Sequence, residues 1–381
     1  MTRPRILHCH STFALGGKEA RAVRLMNAFG QHAEHVILSA VPEALSAKEA
    51  IDPASDVVFP GQSAPALHGR PGLRRYRQLA NYMHGFDLVL TYNWGAMDAV
   101  GARRLFGRNG PPLIHHEDGF NADEANGLNW RRNSFRRLCL PAAATLVVPS
   151  RTLESIATTI WRQPADRVCR ISNGIATAAY ARAPELDSIP GLSRREGDII
   201  IGTLAGLRAV KNLPRLVRAV ARLGNNVRLV IIGEGPERDA IVREAERLGM
   251  SNRVLMPGFL PAPHRYLGCF DIFALSSDSE QFPVSLVEAM AAGLPVVSTD
   301  VGDIRSIVSP RNQTLVVSSS REDQFSNALE RLCDSPALRM TLGKANSALA
   351  QNAYDERRMI KAYGALYEGV MRRPGALLRK R

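Results

Sequence analysis

Short apolar runs alternate with helix-spaced apolar positions along the whole chain. In the first half the runs predict strands at Arg5–His10, His35–Ala40, Leu88–Asn93, Leu113–Glu117, Thr145–Pro149 and Val168–Ser172. In the second half they predict strands at Ile199–Ala205, Arg228–Gly233, Arg253–Met256, Ile272–Ser276, Val296–Thr299 and Thr314–Val317. The runs are rich in Val, Ile and Leu without strict polar alternation. Strands buried on both faces have that pattern, and helices between them imply parallel sheets. The pattern breaks in "ATAAYARAPELDSIPGLSRREGD", which has two prolines and little periodicity.

An α/β chain follows, with two Rossmann-like domains at 1–178 and 198–353 joined by a linker at 179–197. Residues 354–381 are expected to form a helix crossing back to the first domain, then a basic tail. Two such domains facing each other leave a cleft at the carboxyl ends of their strands, where ligands bind in these folds.

The chain has 381 residues, enough for two domains. Its five cysteines are scattered singly, so a disulfide framework or zinc site is not expected and a reducing cytoplasm fits. The start, "MTRPRILHCHSTF", lacks the apolar core of a signal peptide, and no run is long enough to cross a bilayer. A formal net charge of +13 favours an anionic partner: nucleic acid, a membrane surface or a phosphorylated substrate. The tail "MRRPGALLRKR" sets basic charge beside Leu377 and Leu378, as a weak membrane contact or a frayed end.

Candidate chemistry concentrates in "SDSEQFPVSLVEAMAAGLPVVSTD". It reads as a strand end, a polar turn, a helix and the next strand. Pro283 suits the first helical position, Gly293 the position past the end, and Pro295 blocks continuation. The helix amino end offers free N–H groups and partial positive charge, a place for phosphate. Glu280 precedes that end, and Glu288 lies little more than one turn inside an apolar helix. An unpaired buried carboxylate is costly. Glu288 is therefore either paired with a base or an acceptor for ligand hydroxyls, and the residues alone leave both readings open.

This stretch resembles the signature of the retaining GT-B glycosyltransferases of family four. The resemblance implies that Glu288 holds the ribose of a nucleotide sugar and Glu280 contacts the transferred sugar. Phe282, Pro283, Val284 and Ser285 then lie in the turn at the distal phosphate. Gln281 stands where the family usually has glycine.

Other segments fit the same plan. Gly16 and Gly17 in "LGGKEARAVRLMNAF" resemble the glycine loop near the diphosphate, and the absence of G-x-G-x-x-G argues against a nicotinamide site. In "GTLAGLRAVKNLPRL", Lys211 matches the lysine that neutralises the leaving diphosphate. Gly206 stands at the usual arginine position, and Arg208 supplies charge two residues on. Gly233 resembles the turn near the nucleotide. Gly258, Phe259 and Leu260 resemble the segment whose backbone reads the base. At "PPLIHHEDGF" the family places a histidine near the sugar; here Asp118-Gly119 takes that register, and His116 and Asp118 are expected to serve jointly. Asn93 and Trp94, ending another strand, are candidate acceptor contacts.

The implied activity is retaining, metal-independent sugar transfer from a UDP- or GDP-sugar, with no further cofactor. The implied acceptor is a lipid-linked or polysaccharide precursor at the inner membrane face. The rivals are a nucleotide-sugar epimerase of GT-B fold, a nucleic-acid binder without a recognised motif, and a dehydrogenase without its fingerprint.

Overall fold

The computed structural model describes residues 3–70, 72–120, 124 and 127–378. The chain divides into two compact units: one runs to Asn173 and resumes at Arg358, the other is Gly174–Arg357.

The first unit is built from β1 (Arg5–His10), α1 (Gly17–Phe29), β2 (Glu34–Ser39), β3 (Asp56–Val58), α2 (Leu73–Met83) and β4 (Leu88–Tyr92). It continues with α3 (Met97–Phe106), β5 (Leu113–His116), α4 (Trp130–Cys139), β6 (Thr145–Val148), α5 (Arg151–Thr159) and β7 (Val168–Arg170). The sheet order is β3-β2-β1-β4-β5-β6-β7, all parallel. Residue alternation divides the core. Leu7 and Cys9 of β1 face the side covered by α2 and α3, while Ile6 faces α1 and the last helix.

That second side also takes His8, His10 and His35 of this sheet. His8 bonds the Tyr92 hydroxyl at 3.1 Å and His35 at 2.9 Å. His10 stacks on Tyr92 with ring centroids 4.0 Å apart. Burial holds these rings neutral: His8 and His10 are pushed well below the usual range, and His35 down to about 4.

The second unit comprises α6 (Thr177–Tyr180), β8 (Ile199–Leu204), α7 (Leu213–Ala221), β9 (Val227–Ile232), α8 (Arg238–Arg247) and β10 (Val254–Gly258). After them come β11 (Ile272–Leu275), α9 (Val284–Ala291), β12 (Val296–Thr299), α10 (Ile304–Ile307) and β13 (Val316–Val317). The helices α11 (Glu322–Cys333) and α12 (Pro336–Ala353) precede α13 (Glu356–Met371), which belongs to the first unit from Arg358 on. The order is β10-β9-β8-β11-β12-β13, again parallel. In each sheet the strand sequence reverses direction once, between β1 and β4 and between β8 and β11. Such switch points leave a crevice at the carboxyl ends of the two strands.

All twelve expected strands are present, with ends shifted by two residues at most; the largest trimming is at β7 and β13. The additional strand β3 is three residues long and partly exposed, and its apolar run spans only Val57–Phe59.

Two expectations are corrected. The segment expected as a linker belongs to the second unit: Tyr180 and Ile189 are buried in its core, and Glu185 pairs with Arg265. The tail is no loose basic end up to Leu378. Glu368 accepts hydrogen bonds from the backbone N–H groups of Gly375, Leu377 and Leu378, and Leu377 is buried beside Tyr363 and Tyr367. Satisfied backbone and apolar burial fold the chain back on α13. The last three basic residues of that tail lie outside the described residues.

Candidate functional site

In the second unit the candidate residues gather where β8 and β11 part. The loop after β8 carries Arg208 and a short 3-10 turn ending at Lys211. The loop after β11 carries Ser277 and Glu280. The two are stitched by backbone and side chains. Asp278 N–H donates to the Val210 carbonyl at 2.8 Å, and Ser276 Oγ donates to the Lys211 carbonyl at 3.0 Å. Lys211 Nζ reaches Glu280 Oε1 at 2.5 Å, and Ser277 Oγ donates to the same oxygen at 2.8 Å. The side chains of this ion pair are 15% and 9% exposed. Arg208 is exposed on the rim.

Around the pair, glycines let backbone approach backbone. At Gly233, with φ 143°, an added Cβ would lie 1.9 Å from the Ala205 carbonyl oxygen. Gly258, with φ 92°, accepts from Gly233 N–H at 2.9 Å. Next to it Phe259 is 60% exposed, whereas Leu260 packs into the core. Gly302, at φ 57°, sits on the Glu280 turn; a Cβ there would be 2.1 Å from the Glu280 carbonyl oxygen. Gly302→Ala is expected to cost at least ~2 kcal/mol, a fall in melting temperature of roughly 5 °C, because it adds a clash to a left-handed backbone. Differential scanning calorimetry checks it.

The turn runs into α9, whose amino end has no side-chain cap. Phe282 is buried edge-on to Tyr354 at 5.6 Å, and Pro283 is buried, while Val284 and Ser285 are half-buried. The uncapped N–H groups of this turn are the kind that bind anions. Glu288 is half-buried, and Tyr180 Oη donates to its Oε1 at 2.9 Å. Burial, helped by the Glu288 charge, raises the nearby Tyr266 phenol. The partner that the sequence leaves open for Glu288 therefore includes a tyrosine from the supposed linker.

In the first unit the candidates separate. Gly16 caps α1 with extended backbone and is exposed, as is Gly17; Lys18 pairs with the buried Glu19 in the first turn. Asn93 holds φ 55° at the switch point. It donates its N–H to the His116 carbonyl, and its Oδ1 accepts from Asp118 N–H, both at 2.7 Å. This ties the ends of β4 and β5 together. Trp94 is edge-to-face with Phe135 at 5.7 Å, lies under Arg132 and Arg136, and lines a cavity of about 410 Å³ with Tyr76 and Arg131.

The joint role expected of His116 and Asp118 does not fit. His116 is 1% exposed. Its Nδ1 lies 3.2 Å from the Thr91 carbonyl, and its Nε2 lies 3.0 Å from the Tyr367 hydroxyl. Burial pushes its ring down to about 3. Both nitrogens are used inside the core, so His116 is a packing residue. Asp118 is held instead by Arg21, whose Nη2 donates at 2.8 Å and whose Nη1 also reaches Asn173 Oδ1 at 3.0 Å. Burial alone would raise the Asp118 carboxyl, but the Arg21 charge overrides it and holds the group below the usual range.

Sequence reasoning missed Arg21 and Tyr180. Arg21 offered one signal, a charged residue on the apolar stripe of α1 beside Ala22 and Leu25. Tyr180 offered none.

The description Glycosyltransferase Family 4 matches residues 15–179, and Glycosyl transferases group 1 matches residues 187–349. Alpha-D-kanosaminyltransferase of Streptomyces kanamyceticus is 25% identical over 61% of this chain and 61% of its own length. Putative glycosyltransferase EpsD of Bacillus subtilis is 29% identical over 78% of this chain and 80% of its own. A Campylobacter jejuni N-acetylgalactosaminyltransferase, named for a diphospho-undecaprenol substrate, is 31% identical over 37% of this chain and 39% of its own. The chain thus spans about three fifths of the first relative and less than half of the third. The crystal structure of Anabaena HepE in complex with UDP has a TM-score of 0.77 at 18% identity, covering 96% of this chain and 100% of that one. The two family matches take in most of both units, and the sheets are parallel as expected. The chain belongs to the GT-B glycosyltransferases of family four.

Proposed function

We propose that this glycosyltransferase moves a sugar from a nucleotide diphosphate sugar to a lipid-linked or polysaccharide precursor, with retention at the anomeric carbon. The observation that carries the reading is the Lys211–Glu280 pair at the switch point between β8 and β11, followed directly by the uncapped amino end of α9. A donor's diphosphate suits that place, because breaking the glycosidic bond leaves negative charge on phosphate. Lys211 and the backbone N–H groups of Phe282, Val284 and Ser285 would take that charge, with Arg208 helping from the rim. Glu280 would accept hydrogen bonds from the sugar and Glu288 from the ribose, with Tyr180 fixing the Glu288 carboxylate. The acceptor hydroxyl would attack from the leaving-group face, its proton passing to the departing phosphate. No side chain is assigned as a nucleophile and no metal takes part.

The solved relative holding UDP and the relative named for a diphospho-undecaprenol substrate support this donor and acceptor class. Among the described residues no helix is long and apolar enough to cross a membrane. A cytoplasmic protein at the inner membrane face fits that, with the acceptor presented from the bilayer.

Incubation with UDP- and GDP-sugars plus a lipid-linked acceptor is the test. Nucleotide release coupled to a product of unchanged anomeric configuration by NMR is expected. An inverted product, or an epimerised donor without released nucleotide, would refute it. Chelation with EDTA is expected to leave the rate unchanged. Glu288→Gln is expected to raise the donor KM about 10- to 100-fold with a smaller loss in kcat, as removal of a ground-state contact does. Donor saturation curves measure it.

A further inference from the structure

The helices α2, α3 and α4 lie together over one face of the first sheet, burying Tyr76, Leu79, Val100 and Cys139 in one cluster. Their outer surface is unusual in two independent ways. They carry nine arginines against a single acid, Asp98; Arg136 is buried on Glu117 and Glu124, Arg132 pairs with Glu124, and five of the nine are exposed. Asp98 is itself taken by Arg75 and the Tyr76 hydroxyl. The same helices expose Leu73 at 71%, Trp130 at 70%, Leu138 at 62%, Leu105 at 56% and Phe106 at 38%. No other region of the described chain exposes large apolar side chains so densely. Arg74, Arg77, Arg104, Arg131 and Arg137 are exposed among them.

We propose that this α2–α4 face docks the protein on an anionic lipid bilayer. The charge supplies long-range attraction to acidic headgroups, and the apolar side chains enter the interface, where tryptophan is favoured. A purely electrostatic partner would need no exposed leucines. A protein partner of neutral surface would leave the arginines uncompensated. This replaces the carboxyl tail as the membrane contact, since Leu377 is buried. It goes beyond the proposed reaction and is tested without donor or acceptor, so either can fail while the other stands.

The test is sedimentation of the full chain with vesicles of mixed anionic and zwitterionic phospholipid. Binding at low salt is expected, with little to purely zwitterionic vesicles. Arg74→Gln/Arg77→Gln/Arg131→Gln should lose about tenfold or more in vesicle affinity. Trp130→Ser/Leu138→Ser should leave only binding that salt abolishes. A blue shift of tryptophan emission on binding should vanish in Trp130→Phe while binding persists, a readout that misfolding would not mimic. Absence of vesicle binding, undiminished binding by the arginine variant, a blue shift that survives in Trp130→Phe, or binding to nucleic acid but not vesicles would overturn the proposal.

Discussion

Lys211→Ala should lower kcat for sugar transfer by about a hundred- to a thousandfold, the usual effect of removing one preorganised charge from a developing anion. Lys211 is anchored at the end of a 3-10 turn and its ammonium sits on Glu280, nearly out of water. Little reorganisation is then needed when phosphate takes on charge. The substitution also strands Glu280 with only Ser277 as donor, so stability could fall for a trivial reason. The pair Lys211→Met/Glu280→Gln, compared with Glu280→Gln alone, separates the two effects. It leaves no unpaired ion and should restore much of the melting temperature while activity stays low. Arg208→Ala, on an exposed rim, should cost about tenfold or less. Activity recovering with stability in the double variant would show that Lys211 is only structural.

The second large effect is on pH. The folded first unit keeps His8, His10, His35 and His116 neutral by burial, each below its ordinary value. In the unfolded chain each titrates near 6.5. A lowered folded value means that the unfolded state binds more protons below pH 6.5. The stabilisation is thus complete above that pH and is lost as pH falls from about 6.5 toward 4. Each ring contributes up to ~1.4 kcal/mol per pH unit across that window, so four together remove several kcal/mol. The chain has nine histidines, and His264 is the one in the second unit. The first unit should therefore acid-unfold before the second, giving two transitions by circular dichroism, the first between about pH 6.5 and 4 and the second at lower pH. One coincident transition below pH 4 would contradict it.

Much of the architecture was legible because both sheets are buried on both faces. Runs such as "VRLVII" and "IFAL" announce themselves by continuous apolarity, and the helices between them force parallel order. β3 escaped because its apolar run at this sheet edge is only three residues long, Val57–Phe59. In the second unit the local strand–turn–helix around Glu280 and Glu288 was legible, because it carries its own stop and start signals. Contacts between distant segments were not. Lys211 meets Glu280 across 69 positions and Arg21 meets Asp118 across 97. His116 shares a face with Ile114, and no local signal shows that this face is roofed by Tyr363 and Tyr367. Leu377 misled because charge around it suggested exposure, while Glu368 supplied the backbone partners that allow burial.

Calorimetric titration with nucleotide diphosphate sugars is the decisive measurement. Saturable binding of one donor class is predicted, weakened about tenfold or more in Glu288→Gln at an unchanged melting temperature. Equal affinity in that variant, or no binding of any nucleotide diphosphate sugar to the folded protein, would contradict the account.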